Sequence, residues 1–395
     1  MLVQKYKDML SGKSVIRQLS EFATARGQEI GYENVFDYSL GNPSVPVPRE
    51  FTDRMIHMLA TKEPLELHGY SPSLGITSVR EAIAENLEKK FGLPYRKEHI
   101  FMASGAAGAL AHAFRLVTEP GDEILTFAPF FPEYHPYVDL TGAVLKVVPP
   151  NLENFQINFE AFEEMLTEKV KAVLINTPNN PSGVVYSTPT LQRLADILSE
   201  KSKEYGHIIY LISDEPYREI VFEGVDSPCV SYFYDNTIMC YSFSKSLSLP
   251  GERIGYIVAP NEAEDFEQLL PAFIASARLL SYVCVPTLYQ KVVGECVDLT
   301  SDLSIYQKNK DLFYNALVDM GYECVEPGGA FYLFPKALEE DANAFCEKAK
   351  EYDLLIVPGD SFGCPGYVRI SYCVPTERIE KALPLFKKLI DDYRK

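Results

Sequence analysis

From residue 100 to residue 257, short apolar runs alternate with amphipathic stretches, and no other feature restricts the fold as much. The runs lie near 100–103, 123–127, 144–148, 171–175, 208–212, 237–241 and 254–258. Stretches with helical spacing sit between several of them, at 107–117, 159–166 and 190–205. Short apolar runs of this kind suit buried strands. Their alternation with helices predicts an α/β fold, a mainly parallel, doubly wound sheet with helices on both faces. The ligand of such a sheet lies beyond the carboxyl ends of its strands. Residues just after each run are therefore the candidates for chemistry.

The run at 237–241 leads into Tyr241-Ser-Phe-Ser-Lys245-Ser-Leu-Ser-Leu-Pro250-Gly-Glu-Arg253. A lysine at the mouth of a buried strand is short of water, and desolvation disfavours its ammonium form. A neutral amine can attack a carbonyl and form a Schiff base. Ser242, Ser244 and Arg253 add hydroxyl donors and a fixed cationic fork suited to phosphate. An aldehyde-bearing, phosphorylated cofactor held by a lysine is pyridoxal phosphate. On this stretch alone, Lys245 reads equally well as a surface lysine beside a serine-rich loop.

Other strand exits decide between the two. The run at 208–212 delivers Ser213-Asp214-Glu215-Pro216-Tyr217. A carboxylate there can keep a pyridine nitrogen protonated, so that the ring draws electrons, and Tyr217 can hydrogen-bond a ring oxygen. The plainer alternative is that Asp214 caps a following helix. The run at 171–175 delivers Asn176-Thr-Pro-Asn-Asn180-Pro181-Ser-Gly183, a turn by composition, with Asn180 a donor to the same ring oxygen and to a substrate carboxylate. After 100–103 come Ser104-Gly-Ala106-Ala107-Gly108, small residues opening a helix whose free N–H groups suit phosphate. Phe131, in Pro129-Phe-Phe-Pro-Glu-Tyr134, is a flat ring for a cofactor face or a core aromatic. One set of strand exits thus supplies a lysine, a ring acid, ring-oxygen donors, an aromatic plate and phosphate donors. A surface lysine does not explain that company.

The remainder of the chain is consistent with two bodies. At 395 residues it suits two cores. The segment 1–30 reads as a helical arm, and 36–48 as a short strand breaking into an extended, proline-rich crossing; 49–60 and 77–91 read as helices, and 67–75 as a loop. Beyond Pro260, helical stretches at 261–280 and 286–320 precede strands at 330–334 and 367–372 and a helix at 376–393. The expected division is an arm with part of the small domain at 1–48, a large cofactor-binding domain at 49–285 and a small α+β domain at 286–395. A net charge of −18 argues against nucleic acid or an anionic membrane as partner. Eight scattered cysteines without metal spacing read as reduced thiols, with no metal, and with no apolar run of spanning length the expected location is the cytoplasm.

The motifs Asn176-Thr-Pro-Asn-Asn-Pro-Ser-Gly183, Ser213-Asp-Glu-Pro-Tyr217, Ser242-Phe-Ser-Lys245 with Arg253, and Val368-Arg369-Ile-Ser371 stand in an order that resembles the fold-type I pyridoxal-phosphate enzymes. Within them the chain is most similar to class I/II aminotransferases of the aspartate-aminotransferase-like branch, over nearly its whole length. The resemblance implies that Lys245 is the Schiff-base lysine and proton carrier, Asp214 the ring-nitrogen partner, and Asn180 and Tyr217 the ring-oxygen donors. It makes Phe131 the stacking ring, and Ala106, Ala107, Ser242, Ser244 and Arg253 the phosphate cup. Tyr70, in His-Gly-Tyr-Ser-Pro, is similar to a tyrosine that crosses to the partner's cofactor in a homodimer. Gly41 and Arg369 resemble the holders of the substrate α-carboxylate.

The implied activity is transfer of an amino group from an L-amino acid, aspartate among the candidates, to a 2-oxo acid such as 2-oxoglutarate. A carbon–sulfur β-lyase on the same scaffold is the alternative, and a regulatory module lacks a basic patch. Ala106 and Ala107 leave only backbone donors where some relatives carry a longer side chain, and Arg278 is offset from the position that reads a distal carboxylate. The strand at 367–372 puts Tyr367, Arg369 and Ser371 on one face, where Arg369 either binds a carboxylate bidentately or pairs with an acid of the small domain. Cis bonds are expected at Ala128–Pro129 and Asn180–Pro181.

Overall fold

The computed structural model describes residues 3, 4, 6, 7, 15–259, 263 and 266–395. Among the described residues, twelve strands, β1 to β12, fall into three sheets. They are β1 (Phe36–Asp37), β2 (Ile100–Ala103), β3 (Glu123–Phe127), β4 (Val144–Val148), β5 (Val170–Asn176), β6 (Tyr210–Asp214), β7 (Thr237–Ser242), β8 (Gly255–Val258), β9 (Tyr332–Leu333), β10 (Leu354–Leu355), β11 (Val357–Pro358) and β12 (Val368–Ser371).

The seven apolar runs become one sheet in the order β2-β8-β7-β6-β5-β3-β4. Its pairs are parallel except those of β8, which runs antiparallel to both β2 and β7. The six co-directional strands therefore open their carboxyl ends on one edge, and reversed β8 begins at that same edge. β2, β3, β6, β7 and β8 are buried along their whole length, which is why they read as continuous apolar runs. Helices Gly105–Val117 and Thr188–Tyr205 belong to different clusters of buried apolar side chains. The second helix shows why such boundaries are readable: Ser187 Oγ accepts from Thr190 N at its start, and Gly206 closes it at φ +69°.

The carboxyl-terminal part builds a separate core around Tyr38, Phe313, Phe331, Phe345 and Phe386. It joins β1 to β10 in parallel and β12 to β9 and β11 in antiparallel pairs. Its helices are Ser304–Met320, Ala342–Lys350 and Thr376–Tyr393. The arm contributes Val15–Ile30, with Leu19 buried; the rest of that expected helix, 1–14, lies largely outside the described residues. The stretch at 261–280 is helical over Phe266–Leu279, and residues 260–262, 264 and 265 lie outside the description. Among the described residues no helix is long and apolar enough to cross a membrane.

Three expectations need correction. The stretch at 286–320 is two helices, Thr287–Gly294 and Ser304–Met320. The break is polar: Asp302 Oδ1 accepts from Ser304 N (3.2 Å) and Ser304 Oγ (2.5 Å), a local alternative to helical bonding. The loop at 67–75 begins inside a short helix, Pro64–His68. No helix follows Asp214, so it is not a cap; the chain makes a turn instead. Ala128–Pro129 and Asn180–Pro181 are cis as expected, and Thr177–Pro178 is cis as well.

That turn after β6 is held by a buried ion pair. Arg218 Nε donates to Glu215 Oε2 at 2.6 Å, with both side chains less than a tenth exposed. Ser213 Oγ donates to Glu215 Oε1 (2.7 Å), Arg218 Nη1 to Tyr256 Oη (3.1 Å), and the guanidinium lies 4.6 Å from the Tyr241 ring centre. Glu215→Ala, which leaves Arg218 buried and uncompensated, should cost about 3–5 kcal/mol. Replacing both residues by Met should cost less than Glu215→Ala or Arg218→Ala alone. Denaturant unfolding of the four proteins checks this; additive losses would contradict it.

Candidate active site

Where β7 ends, Ser242 caps a single helical turn, Phe243–Ser246: its Oγ accepts from Ser244 N at 3.1 Å and lies 2.6 Å from Ser244 Oγ. That turn swings Lys245 into a cavity of about 270 Å³ at the carboxyl edge of the sheet. Lys245 Nζ donates to Gly41 O at 2.7 Å and lies 5.4 Å from the centre of the Phe331 ring. Burial lowers the ammonium's pKa to about 8; Cys373 opposes that shift, and Arg253 and Arg369 add to it. A substantial share of the amine is therefore neutral near pH 8.

Asp214 ends β6 facing the same space. Its Oδ2 accepts from Tyr134 Oη at 2.7 Å, and its Oδ1 is buried without a partner. Burial raises its pKa to about 7; the Tyr134 hydrogen bond pulls the value down and nearby Glu215 pushes it up. Asn176, ending β5, donates through Nδ2 to Asp214 O (2.8 Å) and accepts through Oδ1 from Asn180 N (2.7 Å). This pins the Asn176–Gly183 turn to its neighbouring strand. Asn180 Oδ1 accepts from Arg369 Nη1 at 3.0 Å, and Arg369 Nη2 donates to Ser39 O at 2.6 Å. Arg369 Nε is buried and unpaired. All these partners are neutral, so the alternative of an ion pair with an acid of the small domain is not what this arginine makes.

Arg253 reaches the cavity because β8 is reversed: it precedes its strand rather than following it. Its Nη1 donates to Pro250 O (2.9 Å). Gly105 stands at φ +70°, and a Cβ there would lie 2.8 Å from Arg253 Nη2. Glycine is thus what lets the guanidinium close on the start of helix Gly105–Val117, beside Ala106 and Ala107. Phe131 also lines the cavity, edge-on to Tyr134 at 5.7 Å.

Every residue given a site role from the sequence lines this cavity except Tyr70. Tyr70 is 93% exposed, on a loop tied down by Thr287 Oγ1 donating to Gly69 O (2.7 Å) and Gln290 Nε2 donating to Ser71 Oγ (2.8 Å). Arg278 is exposed at the end of helix Phe266–Leu279. The polar residues that line or support the cavity without having been assigned a role from the sequence are Asn176, Tyr134, Tyr137 and Tyr332. Asn176 satisfied the strand-end rule and was readable; the tyrosines carry no local signal that separates them from core aromatics.

The family profile for aminotransferase class I and II matches residues 33–384. The chain is 30% identical to an aspartate aminotransferase of Thermotoga maritima, covering 93% of this chain and 97% of that one. It is 29% identical to an aromatic-amino-acid aminotransferase of Thermococcus litoralis, over 96% of both. A solved amino transferase from Eubacterium rectale shares 47% identity and superposes with a TM-score of 0.98, all of each chain covered. This chain belongs to the class I and II aminotransferases.

The family is of the pyridoxal-phosphate fold-type I kind, and the residues of this aminotransferase fit that cofactor. The unpaired, buried Asp214 Oδ1 is an acceptor without a donor, the role a protonated ring nitrogen would fill. The cradle of Gly105, Ala106, Ser242, Ser244 and Arg253 offers hydroxyl, backbone and guanidinium donors for a phosphate.

Asp214 also makes the stability of the cofactor-free protein sensitive to pH. Its pKa is 3.8 in an ordinary setting and about 7 here, so the folded state keeps this proton where the unfolded chain has released it. The group's contribution to stability is therefore present at low pH and is lost as pH rises through about 7. Asp214→Asn should flatten that decline in the cofactor-free protein and gain stability relative to the parent above neutrality. Urea midpoints measured across the window check it, and parallel pH profiles for the two proteins would count against it.

Proposed function

We propose that this aminotransferase holds pyridoxal phosphate on Lys245 and moves the amino group of an L-amino acid to a 2-oxo acid. The observation that carries the reading is the company of Lys245 Nζ: a desolvated amine sharing one cavity with an unpaired carboxylate oxygen and an arginine whose partners are all neutral. When bound, the cofactor supplies an aldehyde for the lysine and an electron-withdrawing ring that stabilises charge developing at the donor's Cα.

The chain's own residues do the rest. Asp214 Oδ1 would accept a hydrogen bond from the protonated ring nitrogen, and a positive partner there favours the charged carboxylate that burial alone opposes. Tyr217 and Asn180 donate to the ring oxygen. Ser242, Ser244, Arg253 and the amides of Ala106 and Ala107 hold the phosphate, and Phe131 covers one ring face. Arg369, with Gly41 and Asn180, binds the α-carboxylate and so fixes the Cα–H bond relative to the ring. Lys245 Nζ then takes the proton from Cα, a task suited to an amine titrating near neutrality.

Two relatives act, by their names, on aspartate and on aromatic amino acids, which leaves the donor's side chain open between those classes; 2-oxoglutarate is the acceptor to try first. The lyase alternative is not favoured, since these relatives are named aminotransferases. We further propose a cytoplasmic homodimer in which exposed Tyr70 completes the partner's phosphate site, with C₂ symmetry giving each subunit both roles.

The test is a single-turnover panel. Purified protein should be yellow, and borohydride should fix the cofactor to Lys245 in a peptide map. Donor amino acids should bleach the colour without a keto acid, and a 2-oxo acid should restore it. Arg369→Lys, which keeps the charge but loses the fork, should slow every donor and leave the colour intact. Fixation to another lysine, or steady release of pyruvate and ammonia without an acceptor, would refute the reading.

A further inference from the structure

Tyr332 touches three parts of the cavity at once. In the β9–β12 pair it stands opposite Ser371. Opposed residues share a face, here the one that carries Arg369. Its hydroxyl lies 2.8 Å from Tyr217 Oη. Its ring lies against Arg369, 4.9 Å from centroid to Cζ. A Cβ on Gly41 would collide with Tyr332 Oη, and Gly41 is the residue whose carbonyl accepts from Lys245.

The two phenols have a proton balance to settle. Each has one O–H to donate and lone pairs to accept with. Burial raises Tyr332 to about 12 and Tyr217 well above its usual value, so both keep their protons near neutral pH. One hydroxyl donates to the other across the 2.8 Å contact. If Tyr217 gives its proton to an oxygen in the cavity, only Tyr332 can donate between the pair.

We propose that Tyr332 is a positioning residue that acts through Tyr217, donating to Tyr217 Oη so that the Tyr217 proton is committed to the cofactor's ring oxygen. This rests on the functional reading above. Two O–H donors in series polarise each other, which strengthens the second donor toward a negatively charged acceptor. Better stabilisation of that oxygen's charge lowers the proton affinity of the basic nitrogen conjugated with it. The Tyr332 ring, separately, supports Arg369.

The bound cofactor's absorbance reports this directly, because its colour changes when that nitrogen titrates. Tyr332→Phe keeps the ring and removes one hydroxyl. It should raise the midpoint of the colour change by about 0.4–1 pH unit, the worth of one hydrogen bond. The donor's KM should stay within about twofold, since the ring against Arg369 remains. Tyr332→Leu should raise both the midpoint and KM. Tyr217→Phe should raise the midpoint at least as far, and adding Tyr332→Phe to it should change nothing more, the non-additivity expected of a relay. An unmoved midpoint in cofactor-loaded Tyr332→Phe, or shifts that add in the double variant, would leave Tyr332 a packing residue and overturn the proposal. A parent protein that binds no coloured cofactor would instead sink the functional reading, and the relay with it.

Discussion

The site is organised around an ammonium group deprived of water. Lys245 follows a strand whose six residues are all buried, and the single turn after that strand leaves its amine one hydrogen bond, to Gly41 O. Two arginines face the same cavity, and neither is paired with a carboxylate. The one lining carboxylate, Asp214, is itself pushed toward neutrality by burial. The cavity's own side chains therefore make it positive inside a chain of net charge −18. Such an arrangement is costly by itself and becomes favourable when anions arrive, here a phosphate and a carboxylate. Apolar packing around the cavity stabilises what the cavity's charges do not.

Topology brings these charges together. Five separate loops meet at one edge because six strands run the same way and the seventh is reversed. The reversal of β8 lets one connection between neighbouring strands carry both Lys245, after β7, and Arg253, before β8. Arg369 comes from a different sheet, yet it bonds Asn180 on one side and Ser39 on the other. The segment from Ser39 to Gly41 therefore links the carboxylate site to the lysine, since Gly41 O accepts from Lys245.

Much of this was legible in the sequence, and what was not has physical causes. All seven large-sheet strands were visible as short apolar runs, and for β2, β3, β6, β7 and β8 that run is what burial along the whole length writes. Lys245, Asp214 and Asn180 were visible because strand exits are where such sheets do chemistry. The reversal of β8 was hidden, since a buried antiparallel strand and a buried parallel one share the same apolar pattern. Tyr332 was hidden for a related reason: it faces Arg369 only by the register of β9 on β12, and register is a tertiary fact. Tyr134 reads as a core aromatic until its hydroxyl is found on Asp214. The 286–320 break was missed because the periodicity continues through it, while one aspartate, Asp302, bonds the backbone locally.

The central claim is that burial, more than any single charge, prepares the Lys245 amine. The most direct measurement is competitive labelling of the cofactor-free protein with an amine-selective electrophile across pH, with the Lys245 peptide quantified against exposed lysines. Lys245 should gain reactivity with a midpoint of about 8. A midpoint at the ordinary lysine value of 10.5 would show that the strand mouth does not desolvate it, and would contradict this account of the site.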